Sequence, residues 1–119
     1  MQNSLKILSF NIQHGMGMDR VVDLDRIAKI IKLEDPDLVC IQELDKNTIR
    51  TDKCDQLAIL SNKTGLIYHY FGKAINYESG EYGNGVLSKF EFDLNKCETI
   101  PLEGKEKSKK FLLFVSFFF

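Results

Sequence analysis

A chain of 119 residues with 44% hydrophobic residues, nine Phe and four Tyr can bury one core, which excludes more than one domain. Sixteen Lys and Arg stand against seventeen Asp and Glu, a net charge of −1, which excludes the broad positive field that tracks a long nucleic-acid backbone. Three cysteines (Cys40, Cys54 and Cys97), with no CxxC pair, read as free thiols in a reducing compartment and give no sign of a zinc site.

The opening "MQNSLKILSF" has no cationic stretch ahead of a long apolar run, so no signal peptide is expected and the expected location is the cytoplasm. "LKILSFNI" (5–12) is apolar on both faces, the pattern of a strand covered on both sides. Residues 23–34, "DLDRIAKIIKLE", bring Leu24, Ile27, Ala28 and Ile31 onto one helical face, with Asp23 as N-cap and Asp35-Pro36 as the stop. "DLVCIQEL" (37–44) reads as a second buried strand. Strand, helix and strand in this order predict a right-handed βαβ unit whose two strands are parallel. A second helix is predicted over 54–64, with Leu57 and Leu60 inward and Asp55 as its cap. "LIYHYFGK" (66–73), "NGVLSKF" (84–90) and "FDLNKCETI" (92–100) read as three further strands, with Tyr68, His69 and Tyr70 as packing residues. The closing "FLLFVSFFF" (111–119) is shorter than the about 20 residues that span a bilayer. It has high β-propensity, no charge and no Pro, so self-association through this C-terminal strand is expected.

Two polar residues interrupt the predicted strands. Asn11 lies at the carboxyl end of the first and Glu43 at that of the second, and ligands of open α/β sheets bind at carboxyl ends. An amide oxygen and a carboxylate are hard ligands that suit Mg²⁺, which takes one or two carboxylates and keeps several waters. An Asn capping a turn and a Glu paired at the surface account for the same two residues. His14 follows the Asn11 strand closely enough to touch a substrate phosphate, or is a surface residue of a loop. Arg50 sits just beyond Glu43, where its guanidinium could hold a phosphate oxygen in a bidentate pair; a surface salt bridge explains it equally well. Strand alternation puts Gln42 on the face opposite Glu43, suited to a structural hydrogen bond. Gly83 and Gly85 flank Asn84 and allow close backbone approach; turn chemistry would also explain them.

"LKILSFNIQHG", "DPDLVCIQELD" and "YGNGVLSKFEF", in that order, resemble the N-terminal half of the endonuclease/exonuclease/phosphatase superfamily of metal-dependent phosphoesterases. "NIQHGMGMD", "ELDKNTIRTDKCDQ" and "FGKAINYESGEYGNGVLSK" are similar to its bacterial metal-dependent hydrolases. The resemblance implies an α/β fold: the N-terminal half of a four-layer, DNase I-like α/β sandwich, with a mixed sheet and flanking helices. It implies that Asn11 and Glu43 belong to a site for Mg²⁺ or Mn²⁺ and that Asn84 faces the cleft. The implied function is metal-dependent hydrolysis of a phosphodiester or phosphomonoester, with His14, Arg50 and Asn84 as candidate substrate contacts.

The superfamily's second half carries "NTHL", "D-x-N" and "SDH" motifs, and neither "NTHL" nor "SDH" occurs in residues 1–119. The expectation is therefore a truncated domain with an incomplete catalytic set, inactive by itself. The alternative is a non-catalytic half-domain that binds a metal or a partner. A phosphate-ester substrate is the expected partner; nucleic acid is not favoured by charge and no membrane partner is expected. Which phosphate ester is bound is not written in the sequence.

Overall fold

Asp23 opens the first helix as its spacing predicts. Its carboxylate accepts the N–H groups of Asp25 and Arg26, and helix α1 runs Leu24–Glu34. The helix stops at Asp35, in the left-handed conformation, ahead of Pro36. Helix α2, Gln56–Thr64, is capped by Asp55, which accepts from the Ala58 N–H, and ends at the left-handed Gly65. In this computed structural model the described residues are 4–101 and 111–114, with Pro101 and residues 111–114 as backbone only.

Four strands form one sheet: β1 (Ile7–Asn11), β2 (Leu38–Lys46), β3 (Tyr68–Tyr77) and β4 (Gly80–Ser88). Their order is β1-β2-β4-β3. β1 and β2 are parallel, joined through α1, whereas β4 runs antiparallel to both β2 and β3, so the sheet is mixed. The βαβ unit stands where its apolar pattern placed it. The hairpin does not: β3 extends to Tyr77 and β4 begins at Gly80, because Glu78 and Ser79 turn the chain with φ of 44° and 66°. Few non-glycine residues take that conformation, so the turn lacks the usual sequence signal. Beyond a 3₁₀ turn at Leu94–Lys96, β5 (Glu98–Pro101) pairs antiparallel with β6 (Phe111–Phe114). The strand expected over 92–100 is thus confined to its end. Residues 115–119 of "FLLFVSFFF" lie outside the described residues, and the expected self-association falls on them.

The helices cover one face of the sheet. Ile27, Ala28 and Ile31 of α1 and Leu57 and Leu60 of α2 pack with Val39, Ile41, Leu44 and Leu87 of the strands into the larger core. Their burial is the main favourable contribution to folding. A smaller cluster of Leu38, Val86 and Phe92, joined by Cys40, Tyr68, Tyr70 and Cys97, lies apart from it. β1 departs from expectation here: Leu8 and Phe10 are partly buried, but Ile7, Ser9 and Asn11 are exposed, so one face is covered and not two. His69 is exposed as well, unlike the packing residue its apolar neighbours suggested. All three cysteines are free. Among the described residues no helix is long and apolar enough to cross a membrane.

Candidate active site

The site begins with a break in the β2–β4 ladder. Ile41 pairs with Gly85 and Leu44 with Gly83, so Gln42 and Glu43 together oppose Asn84 alone, a β-bulge. Ile41 and Leu44 are both fully buried in the helix-side core, so the two residues between them stand off that face. Asn11, between Phe10 and Ile12 of the same core, also stands off it. Asn11 and Glu43 therefore share the sheet face away from the helices. They are one register step apart, since the partner of Asn11 across the parallel pair is Gln42. The alternation that would send Gln42 and Glu43 to opposite faces fails at the bulge. Gln42 does make structural hydrogen bonds: its Nε2 donates to Cys40 O at 3.1 Å and to Ser9 Oγ at 3.3 Å.

Glu43 has φ of 61°, a left-handed backbone that is sparsely populated by residues with a side chain. Its N–H donates to Asn84 Oδ1 at 3.2 Å. Beside it opens a cavity of about 310 Å³ lined by Glu43, His14, Arg50, Tyr77, Tyr82 and Ile75, among others. A second depression, between the helices, is lined by Lys29, Lys32, Lys63 and apolar Leu33 and shares no lining residue with the first. Glu43, His14, Arg50, Tyr77 and Tyr82 all line the first cavity, beside the carboxyl ends of β1 and β2, which makes it the candidate site.

Three constraints hold Arg50 there. Its Nε and Nη2 donate to the two carboxylate oxygens of Asp45 at 2.6 and 2.8 Å, and the Asp45 side chain is wholly buried. The rings of Tyr77 and Tyr82 lie 4.4 and 5.7 Å from the guanidinium carbon. Asp45 is also bound by the Thr48 hydroxyl at 2.7 Å. Burial pushes the Asp45 carboxyl up, but the hydrogen bonds from Arg50 and Thr48 outweigh it and hold it below the usual carboxylate range. One edge of the guanidinium is thus committed, neither grasping phosphate through that edge nor forming a surface salt bridge.

His14 reaches the cavity on a tight turn, with Gln13, His14 and Gly15 at φ of 48°, 44° and 85°. Two side chains hold that turn. Asn11 Oδ1 accepts the Gln13 N–H at 3.1 Å, and buried Gln56 donates from Nε2 to His14 O at 2.8 Å. Gln56 also accepts the Asp45 N–H on its Oε1 at 2.9 Å, so one amide joins the His14 turn to the end of β2. Burial and then the charge of Arg50 push the His14 imidazole below its ordinary pKa. Burial and then Glu43 push the Tyr82 phenol up.

Of the five residues singled out in the sequence, the structure brings His14, Glu43 and Arg50 to one cavity. Asn11 and Asn84 do not line it and bind backbone N–H groups beside it. Asp45, Gln56, Tyr77 and Tyr82 escaped the sequence reading. The tyrosines fall on either side of the hairpin turn in "YESGEY", Tyr77 opposite Gly80 and Tyr82 opposite Ile75, a signal visible once the turn is placed.

A divalent ion has partial support in this donor set. Among the described residues no three His, Cys, Asp or Glu side chains converge as a metal site. Glu43 offers a carboxylate with no hydrogen bond or ion pair among the described residues, and Asn11 offers an amide oxygen with a second lone pair. One carboxylate and one amide oxygen fit a hard cation that keeps most of its waters.

The fold recurs in solved structures. An endonuclease/exonuclease/phosphatase from Beutenbergia cavernae DSM 12333 is similar with a TM-score of 0.67 and 26% identity, over 83% of this chain and 29% of that one. A truncated Caenorhabditis elegans TDP2 is similar with a TM-score of 0.59 and 19% identity, over 95% of this chain and 40% of that one. A humanized D. rerio TDP2 gives a TM-score of 0.58 and 20% identity, over 95% and 42%. The chain therefore spans between 29% and 42% of the length of these structures. None of the curated proteins searched matches it. Residues 8–105 match the Endonuclease/Exonuclease/phosphatase family, whose members are typically metal-dependent and adopt this mixed-sheet, DNase I-like fold, and the chain belongs to that family.

Proposed function

We propose that residues 1–119 carry the metal-holding rim of a Mg²⁺- or Mn²⁺-dependent phosphoester hydrolase, with Glu43 and Asn11 as protein ligands. The observation that carries this reading is the Glu43 carboxylate, without a protein partner among the described residues, in a cavity it shares with Arg50 and His14. A bound divalent ion supplies positive charge to a non-bridging phosphoryl oxygen. Arg50 presents the guanidinium edge left over from Asp45 to a second oxygen, held in place by Tyr77 and Tyr82. His14, kept largely neutral by burial and by Arg50, is a hydrogen-bond partner for the ester or its leaving oxygen. Both phosphodiesters and phosphomonoesters suit this set of contacts.

The proposal for residues 1–119 by themselves is metal binding without turnover, supported by the fraction of the related structures that they span. Titration of the ¹⁵N-labelled chain with Mn²⁺ tests the metal reading. The expected result is selective broadening of the Asn11 side-chain amide and of the Glu43 and Leu44 backbone signals, abolished by Glu43→Gln. Uniform or absent broadening overturns it. Incubation with bis(p-nitrophenyl) phosphate and Mg²⁺ is expected to release no nitrophenol, and metal-dependent release would show that this part of the fold suffices for catalysis.

A further inference from the structure

We infer that Asn84 is a positioning residue: by accepting the Glu43 backbone N–H at the β2 bulge, it holds Glu43 in the orientation in which its carboxylate enters the cavity. The inference rests on the reading of Glu43 as a metal-holding group.

A regular antiparallel ladder gives each residue of β2 one partner on β4. Between Ile41–Gly85 and Leu44–Gly83 two residues oppose one, so neither Gln42 nor Glu43 has a register partner on β4. Asn84 is the residue opposite, and its Oδ1 accepts the Glu43 N–H at 3.2 Å. The side-chain amide thus replaces the ladder carbonyl. A half-buried amide N–H left unmade is costly, and so is the left-handed backbone of Glu43 at φ of 61°; one hydrogen bond from a side chain of fixed length meets the first cost and stabilises the second.

The neighbours of Asn84 leave it little room to move. A Cβ on Gly83 would lie 2.0 Å from Gly72 O of β3, so β4 is drawn against β3 more closely there than any side chain allows. A Cβ on Gly85 would meet Leu57 and Leu44 side-chain carbons at 2.7 and 2.8 Å, so β4 is equally close to the helix-side core. "GNG" at 83–85 therefore anchors the strand on both sides of the single residue that supports the bulge. The same strand carries Tyr82, which lines the cavity and flanks Arg50. Asn84 itself does not line the cavity, and its acceptor oxygen is already engaged, which favours a role through Glu43 over a direct contact with substrate.

Two variants of the whole chain test this, each read by Glu43 amide hydrogen exchange and by Mn²⁺ affinity. Asn84→Leu keeps the size of the side chain and removes the acceptor; Asn84→Asp keeps the acceptor. The leucine variant is expected to speed exchange at Glu43 by tenfold or more, leave amides of α1 unchanged, and weaken Mn²⁺ binding by about tenfold, the usual effect of removing a residue that orients a metal ligand. The aspartate variant is expected to keep Glu43 protected as in the wild type. A folded leucine variant with wild-type Glu43 exchange and Mn²⁺ affinity overturns the inference. Should the leucine variant not fold, the aspartate variant decides: protected Glu43 supports the inference, and rapid exchange at Glu43 alone overturns it. If the wild-type chain binds no Mn²⁺, the metal reading falls, while exchange at Glu43 still judges the role of Asn84.

Discussion

Gln56 and His14 are 42 residues apart in sequence, yet the Gln56 Nε2 donates to the His14 carbonyl at 2.8 Å while the other end of the same amide accepts from Asp45. Gln56 is wholly buried, so neither bond can be replaced by solvent. Its substitution by Met, similar in size and without polar hydrogens, leaves the Asp45 N–H and the His14 C=O without that partner. Each lost partner costs on the order of 1–3 kcal/mol, and Gln56→Met is expected to lower stability by about 3 kcal/mol. Urea denaturation measures this, and displaced Gln13 and His14 backbone signals in the folded variant locate the damage. An unchanged midpoint would mean that the amide contributes little.

Asp45 is the buried partner of Arg50. Its carboxyl titrates below the ordinary range, so the stability it contributes is fully present above the unfolded pKa of about 3.9 and is lost as pH falls through the folded value. Asp45→Asn is expected to cost about 3 kcal/mol at neutral pH, because Arg50 loses its counter-charge and Thr48 an ionic acceptor. Below about pH 4 the difference between wild type and variant narrows. Melting temperatures across pH 2–7 for both proteins test this; a difference independent of pH contradicts it.

His14 is linked in the same direction, over a higher pH range. Its folded pKa is lowered from 6.5 by burial and then by Arg50, so as pH falls past 6.5 the unfolded chain takes up this proton first. Stability through His14 therefore decreases on acidification from that point until the folded pKa is reached. An NMR titration of the imidazole is expected to give a midpoint below 6.5, moving towards 6.5 in Arg50→Met. A wild-type midpoint at or above 6.5 would contradict the placement of the ring beside Arg50.

Glu43 holds φ of 61°, where glycine is at ease and alanine is not. Glu43→Gly is expected to be more stable than Glu43→Ala by about 1 kcal/mol, although both remove the carboxylate. Equal stabilities would mean that the backbone relaxes when the side chain is shortened. Thermal melts of the two variants settle the comparison.

Most of the scaffold was legible because it is local. The apolar spacing of Leu24, Ile27, Ala28 and Ile31 and the capping carboxylate of Asp23 lie within one turn or two of each other, and the βαβ unit follows from them. The hairpin was misplaced because Glu78 and Ser79, which are not typical turn formers at positive φ, make its turn. The bulge left only a partial trace. In "VCIQEL" the alternation slips at Gln42 and Glu43, two polar residues between Ile41 and Leu44, but only the pairing of β2 with β4 shows that two residues share one partner. For the candidate site, Asn11 and Glu43 stood out as polar residues at strand ends. Asp45 did not, since its burial is created by Thr48, Thr51 and Arg50 folding back over it. The tyrosines that flank Arg50 come from two strands of the hairpin and could be joined only after its register was known.

The bulge in β2 also bears on how such a chain changes over generations. Deleting Glu43 would leave Ile41, Gln42 and Leu44 in strict alternation, with both apolar residues still facing the helices and every position of β2 matched by one on β4. The ladder would be whole and the left-handed residue gone. A single in-frame codon loss thus leads towards a sturdier sheet that has no carboxylate at this position. Descendants released from selection on the site are expected to drift in that direction, and the persistence of the two-residue step in a lineage would record that the carboxylate is still in use.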